Sequence, residues 1–239
     1  MELTDFKVLT FDCYGTLIDW ESGIWEALQP MISAGNVKIG REAALETFAR
    51  HESAQESASP ALVYSELLAV VHAHLAEEWS APSDGARDKA FGQSVGAWPA
   101  FADSAKALEY LKEHYKLVIL SNVDRASFKA SNKRLAVEFD AIYTAEDIGS
   151  YKPDARNFDY LLGHLKSDLG LDKAAVLHTA QSLFHDHAPA LRAGIRRAWI
   201  DRRQGQAGSG ATMPLAERPD VDFYFPSMAA FVEAHKLLK

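Results

Sequence analysis

A single cysteine, Cys13, stands in the 239 residues, so no disulfide can close within the chain. No uncharged apolar stretch approaches the roughly 20 residues that a bilayer-crossing helix needs. The opening MELTDFKVLT has neither the basic start nor the apolar core of a signal peptide. The expected location is therefore the cytoplasm, with no membrane partner. Positive charge is also scarce: 25 Lys and Arg stand against 33 Asp and Glu, a formal net charge of −8. Phosphate backbones are held by clustered basic side chains, so nucleic acid is not an expected partner. Internal repeats and low-complexity tracts are absent. The 48% hydrophobic and 24% charged content is that of an ordinary globular chain. At this length a core can form without disulfides or a structural metal, as one large domain or as one domain with a smaller one inserted.

Five short apolar runs read as buried strands: Val8 to Phe11, Leu117 to Leu120, Ala141 to Tyr143, Ala175 to Leu177 and Ala198 to Ile200. Helical patterns lie between the later ones, at 103–115, 127–139, 154–170 and 187–195. Strand alternating with helix predicts an α/β, Rossmann-like parallel sheet with helices on both faces, and a ligand site outside the carboxyl ends of the strands. The interval 19–99 breaks the alternation. It carries only helical signals, including a start near Ile39-Gly40-Arg41 and the run PALVYSELLAVVHAHLAEEW, with turns at Pro60, at 80–85 and at Trp98-Pro99. It reads as an inserted all-helical subdomain, leaving residues 1–18 and 100–239 as the sheet domain. The Gly/Ser-rich stretch 201–214 reads as a mobile surface loop.

The polar residues that end these strands carry the chemistry. FDCYGTLID puts the carboxylate of Asp12 at the end of the first strand, ahead of a turn with Gly15 and Thr16. An aspartate here either caps a helix or attacks a substrate, and Gly15 either serves the turn alone or lets backbone approach a ligand. The second strand ends in LSNVD with Ser121 and Asn122, which either cap the next helix or donate to a substrate anion. After the third comes SYKPD with Lys152, and after the fourth HTAQSLFHD with Asp186. An ammonium close to Asp12 would keep that carboxylate ionised and hold a substrate anion. Cys13 faces the opposite way from Asp12 in an extended segment and reads as a buried thiol.

These four segments, in this order, resemble the haloacid dehalogenase superfamily, whose motifs are a leading Asp, a Ser or Thr after the second strand, a Lys-Pro and a late acid. The resemblance covers the sheet domain, implies that residues 1–18 and 100–239 are a catalytic core with 19–99 as its helical cap, and implies a covalent aspartyl ester on Asp12. Phosphatases of that superfamily carry a second Asp two residues after the nucleophile to protonate the leaving alkoxide; here that position is Tyr14. A halide leaves without a proton. Phosphatases also place an Asp after the fourth strand to hold Mg²⁺, and here that position is Gln181, which removes one hard oxygen anion. DCYGTLID is thus similar to the type II 2-haloacid dehalogenases. The resemblance implies hydrolysis of short 2-haloalkanoic acids to 2-hydroxy acids with no metal or other cofactor. The expected partner is a small anionic substrate, and the sequence leaves room for a homodimer. Asp12, Lys152 and Asp186 would be catalytic. Tyr14, Gly15, Thr16, Ser121, Asn122, Gln181, Ser182, Phe184 and His185 would line the substrate, with Arg50 as the cap arginine that dehalogenases place near the entrance. Arg50 otherwise reads as a solvated helix residue, and His185 as a helix-start residue. Phe158 stands where some dehalogenases carry tyrosine. Two alternatives remain: a small-metabolite phosphatase of the same superfamily, which would use Mg²⁺, and a catalytically idle binding member.

Overall fold

The computed structural model describes residues 1–239. Six parallel strands form one sheet: β1 (Val8–Phe11), β2 (Lys116–Ser121), β3 (Ala141–Thr144), β4 (Val176–Ala180), β5 (Arg196–Ile200) and β6 (Phe223–Phe225). Their spatial order is β3-β2-β1-β4-β5-β6. β1 is central, and the chain runs outward from it first through β2 and β3 and later through β4, β5 and β6. That reversal opens a crevice at the carboxyl end of β1, between β2 and β4, where ligands of such sheets bind.

Alternation along each strand builds a core on both faces. Leu9, Phe11, Leu117, Ile119, Leu177 and Ile200 join one apolar cluster with residues of α5 (Ser104–Lys112), α6 (Arg125–Leu135) and α10 (Met228–Lys236). Val8, Val118, Leu120, Tyr143 and Val176 join the other, against Phe158, Leu161 and Leu165 of α8 (Arg156–Leu169) and Ala190 of α9 (Ala188–Arg192). The short α7 (Ala145–Ile148) follows β3 directly, begun by a Thr144–Asp147 capping box. The fourth strand runs further than its apolar signal, because His178 and Thr179 are fully buried polar residues. The three-residue β6 carries too short a pattern to be read from sequence.

The intervening residues are helical: α1 (Trp20–Ala34), α2 (Arg41–Ala58), α3 (Tyr64–Glu78) and α4 (Gly85–Gln93), then a 3-10 turn at Ser94–Ala97. The chain leaves the sheet body at Ile18 and returns at Ala100, and these two residues form an antiparallel bridge at the neck. Asp19 N–H donates to Pro99 O at 2.8 Å, and Phe101 N–H to Leu17 O at 3.1 Å, on either side of it.

The stretch 201–214 corrects the expectation of a mobile loop. It has no regular element, but Arg203 spans from it to the cap, donating to both oxygens of Glu21 at 2.9 and 2.8 Å and to both of Glu42 at 2.8 and 2.9 Å. Gly210 N–H also donates to Glu42, and Ala211 N–H to Glu21. Ala211 and Thr212 are buried. Each terminal guanidinium nitrogen thus faces both oxygens of one carboxylate, so one arginine joins two cap helices. Arg203→Ala is expected to cost about 1–2 kcal/mol, lowering the Tm by about 3–6 °C for a chain of this size, and to open 201–214 to proteases. An unchanged Tm together with an unchanged digestion pattern would contradict the tether.

Candidate active site

The crevice at the end of β1 gathers the three residues expected to be catalytic. Lys152 Nζ lies 2.9 Å from Asp12 Oδ1 and 2.6 Å from Asp186 Oδ1, and donates to Leu120 O at 3.1 Å. All three ammonium hydrogens are thereby used. Lys152 is 1% exposed and Asp186 is fully buried. Burial alone would drive the ammonium to lose its proton; the two carboxylates reverse this and hold its pKa above the ordinary lysine value. Burial likewise works against Asp186, but Lys152 and His178 outweigh it and hold the carboxyl well below the usual carboxylate range. Burial raises the Asp12 carboxyl, with Lys152 and the Thr16 hydroxyl pulling it back.

Each of these groups is aimed by a residue behind it. Thr16 Oγ1 donates to Asp12 Oδ2 at 2.7 Å and accepts from Gln181 N–H at 2.9 Å, so the turn after β1 and the end of β4 jointly set the Asp12 rotamer. Gly15 makes that turn at φ +96°, where a Cβ would lie 3.0 Å from the Trp20 indole nitrogen and 3.1 Å from Gln181 Oε1. Asp186 sits in a π turn, Leu183–His187, in which Asp186 and His187 N–H both reach Ser182 O. Such turns often mark functional sites. His178 Nε2 is 2.9 Å from Asp186 Oδ1 and its Nδ1 is 2.8 Å from Thr10 Oγ1. With Asp186 ionised, Nε2 donates and Nδ1 accepts from Thr10, which fixes the tautomer. Asp186 Oδ2 has no hydrogen-bond partner.

The cavity over these groups is small, about 30 Å³, room for roughly one water. Asp12, Lys152 and Asp186 form its floor; Tyr14, Ser121, Asn122, Ser182 and His185 form its sides with Trp20. Its roof comes from the cap: Glu52, Glu56 and Tyr64. A hollow of about 400 Å³ shares Glu56 and Lys152 with it, and Phe184 lines that hollow. A substrate larger than a water needs more room than this cavity gives.

Several expected site residues are placed differently from the sequence reading. Arg50 is on the outer surface of α2, with its side chain 56% exposed and paired with Glu78 at 2.8 Å, because the buried stripe of that helix runs through Leu45, Phe48, Glu52 and Glu56 instead. No arginine lines the cavity. Gly15 and Gln181 line a separate hollow of about 420 Å³ with Trp20, Arg41, Arg202 and Arg203, so they position the Asp12 turn from outside the cavity. Thr16 lies beneath Asp12 and does not line the cavity either. Asn122 reaches the cavity with its amide already used: it donates to Glu56 Oε1 at 3.0 Å and to Lys152 O at 2.9 Å, and accepts from Lys152 N–H at 2.7 Å. It ties the Lys152 loop to the cap and has no hydrogen left for a departing halide. Ser121 Oγ, by contrast, is buried without a partner.

Tyr14 turns its hydroxyl away, to Ser131 Oγ at 2.8 Å, and its ring packs edge-on against Trp98. Burial raises its pKa well above the ordinary tyrosine value. Cys13 packs in the apolar core, and burial raises its thiol well above its ordinary value. Burial pushes His185 down to about 4, leaving it neutral at pH 7.

The donor set does not suit a divalent cation. Asp12 and Asp186 are bridged by an ammonium, Gln181 contributes no carboxylate, and no three His, Cys, Asp or Glu side chains converge at metal-binding spacing.

Sequence reasoning missed Glu52, Glu56, Tyr64, Trp20 and His178. The two glutamates were legible in principle, since they continue the apolar stripe of α2 at helical spacing, where a charged residue is unexpected.

Known proteins place this arrangement in a family. No curated protein matches the chain. Among solved structures, the L-2-haloacid dehalogenase PA0810 is similar with a TM-score of 0.77 at 22% identity, over 98% of this chain and 100% of that one. The L-2-haloacid dehalogenase from Xanthobacter autotrophicus is similar with a TM-score of 0.76 at 19% identity, over 98% and 100%. YfnB from Bacillus subtilis, bound to magnesium, is similar with a TM-score of 0.74 at 15% identity, over 98% of each chain. These likenesses establish a shared fold. Residues 6–179 match the family described as haloacid dehalogenase-like hydrolase. With its leading Asp12, its Lys152 and its late Asp186 assembled at one sheet edge, the chain belongs to the haloacid dehalogenase-like hydrolases.

Proposed function

We propose that the chain hydrolyses a carbon–halogen bond of a small 2-halo acid through an ester on Asp12, without a metal ion. The observation that carries this reading is the Tyr14 hydroxyl bonded away to Ser131, which leaves no acid two residues from the nucleophile. A leaving group that must depart unprotonated is a halide far more readily than an alkoxide. In the first step an Asp12 oxygen attacks the carbon bearing the halogen, the carbon–halogen bond breaks, and halide leaves with the electron pair. In the second, water adds to the Asp12 carbonyl and the bond to the substrate oxygen breaks. The departing alkoxide takes one proton from that water, and the other passes to solvent. The products are a hydroxy compound, halide, a proton and regenerated Asp12.

Lys152 supports both steps. It favours the anionic form of Asp12 before attack and stays charged against the carbonyl that develops negative charge afterwards. Asp186 Oδ2, buried and unpartnered, can accept a hydrogen from the attacking water, while His178 and Lys152 fix its other oxygen. Ser121 Oγ is the free hydroxyl that can donate to a substrate carboxylate. The phosphatase alternative draws no support, since it needs an acid where Tyr14 stands and a carboxylate where Gln181 stands.

Asp12→Asn keeps the shape and removes the attacking anion. Halide release from a panel of small 2-halo compounds is expected to fall by roughly three orders of magnitude or more, with circular dichroism unchanged. Activity within tenfold of the parent would remove Asp12 from this role. Exhaustive chelation is expected to leave the parent's rate unchanged; a loss on chelation that Mg²⁺ restores would transfer the assignment to a metal-dependent hydrolase.

A further inference from the structure

The roof of the cavity is acidic, which the dehalogenation reading does not use. Glu52 and Glu56 stand one helical turn apart on α2 and are 3% and 6% exposed. One oxygen of each is engaged: Tyr64 donates to Glu52 Oε1 at 2.5 Å, and Asn122 to Glu56 Oε1 at 3.0 Å. Neither Glu52 nor Glu56 has a cation against it. The only charged donor in the cavity, Lys152, has given all three hydrogens to Asp12, Asp186 and Leu120 O. The nearest other nitrogen, His185 Nε2, is 3.8 Å from Glu56 Oε2 and buried without a hydrogen-bond partner, as Asp186 Oδ2 is also.

We infer that the end of the substrate facing the cap carries a primary ammonium group, received by Glu52 and Glu56. An ammonium supplies three hydrogens to a roof that offers the unengaged oxygens of Glu52 and Glu56, and a cation there stabilises both as carboxylates. Burial raises the Glu52 carboxyl to about 8 and Glu56 well above its ordinary value, so the unliganded pair holds protons that a bound cation displaces. The pair therefore stays in place when the site is empty. Removing a buried ion's partner is costly, but these groups neutralise instead.

The inference rests on the reading of this cavity as the place where Asp12 meets its substrate. It revises the expectation of a plain anionic substrate, because no arginine lines the cavity and two glutamates stand in its roof.

Binding without chemistry tests it. Calorimetric titration of the parent protein at pH 7.5 with n-propylammonium and with propionate, equal in length, is expected to give at least tenfold tighter binding of the ammonium. In the double variant Glu52→Gln, Glu56→Gln, propylammonium should weaken at least tenfold while propionate stays within threefold. Both substitutions keep side-chain shape, and thermal melting reports whether the variant folds. If the double variant does not fold, the comparison in the parent decides alone. Propionate binding as tightly as propylammonium, no measurable propylammonium binding, or a folded double variant with unchanged propylammonium affinity would each overturn the inference. A protein that prefers propylammonium yet releases no halide from any compound would lose the dehalogenation reading and keep this one. One that releases halide from 2-haloalkanoates and prefers propionate would do the reverse.

Discussion

A lysine ammonium with no access to water, gripped by two carboxylates and one carbonyl, is the constraint around which the rest of this molecule is arranged. Lys152 draws its partners from three places: Asp12 after β1, Asp186 from the π turn after β4, and Leu120 O from β2. Burying such a charge is costly unless every hydrogen is matched, and here every one is. The parallel sheet makes the match possible, because β1 lies directly between β2 and β4 and their carboxyl ends open on the same side. Around this centre lie residues whose task is alignment. Thr16 and Gln181 hold Asp12, Thr10 and His178 hold Asp186, and Asn122 holds the Lys152 backbone. A reactive carboxylate is thereby fixed before substrate arrives, which is the condition under which electrostatic catalysis works.

The cap completes the site and is tied down on two sides. Asn122 bonds Glu56 over the cavity, and Arg203 clasps Glu21 and Glu42 from the far end of the core. With a volume near 30 Å³ the site is too small for a substrate as it stands, so these ties and the Ile18–Ala100 neck bound any widening. The two ties differ in character. The Arg203 clasp joins one guanidinium to two carboxylates, whereas the Asn122–Glu56 bond is a hydrogen bond lying directly over the reacting groups. Tyr151 O–H to Leu62 O at 2.5 Å and Ser65 N–H to Asp124 Oδ2 at 3.2 Å also hold the cap to the core, and the hollow lined by Phe184 adjoins Glu56 and Tyr151.

Much of this was legible in the sequence, for a definite reason. In a parallel sheet buried on both faces, strands are short apolar runs and the first polar residues after them stand at the ligand crevice; Asp12 and Ser121 follow from that rule, and Lys152 from the Lys-Pro of the resemblance. The same rule cut β4 short at Leu177, because it has no means of seeing that His178 is buried to hold Asp186. Arg50 was misplaced for a different reason. The resemblance to dehalogenases with an entrance arginine put it at the site, yet at about 100° per residue it stands about 200° round from Phe48, on the outer face. The glutamates on the inner face, Glu52 and Glu56, are held by Tyr64 and Asn122, partners that a local pattern does not show. The stretch 201–214 has a linker's composition, and only the long-range pairing of Arg203 with two cap helices fixes it. A partner some 160 to 180 residues away leaves no local pattern.

The central claim, that Asp12 bonds covalently to the substrate, is tested most directly by where oxygen goes. One turnover of a halogenated substrate in heavy-oxygen water, with enzyme in excess, separates the two routes to the same product. If Asp12 attacks carbon, the product hydroxyl carries an oxygen from the protein and stays light, while mass spectrometry of the peptide containing Asp12 shows one heavy oxygen gained. A heavy product hydroxyl with an unlabelled Asp12 peptide would mean that water attacked the substrate itself, and would contradict the account.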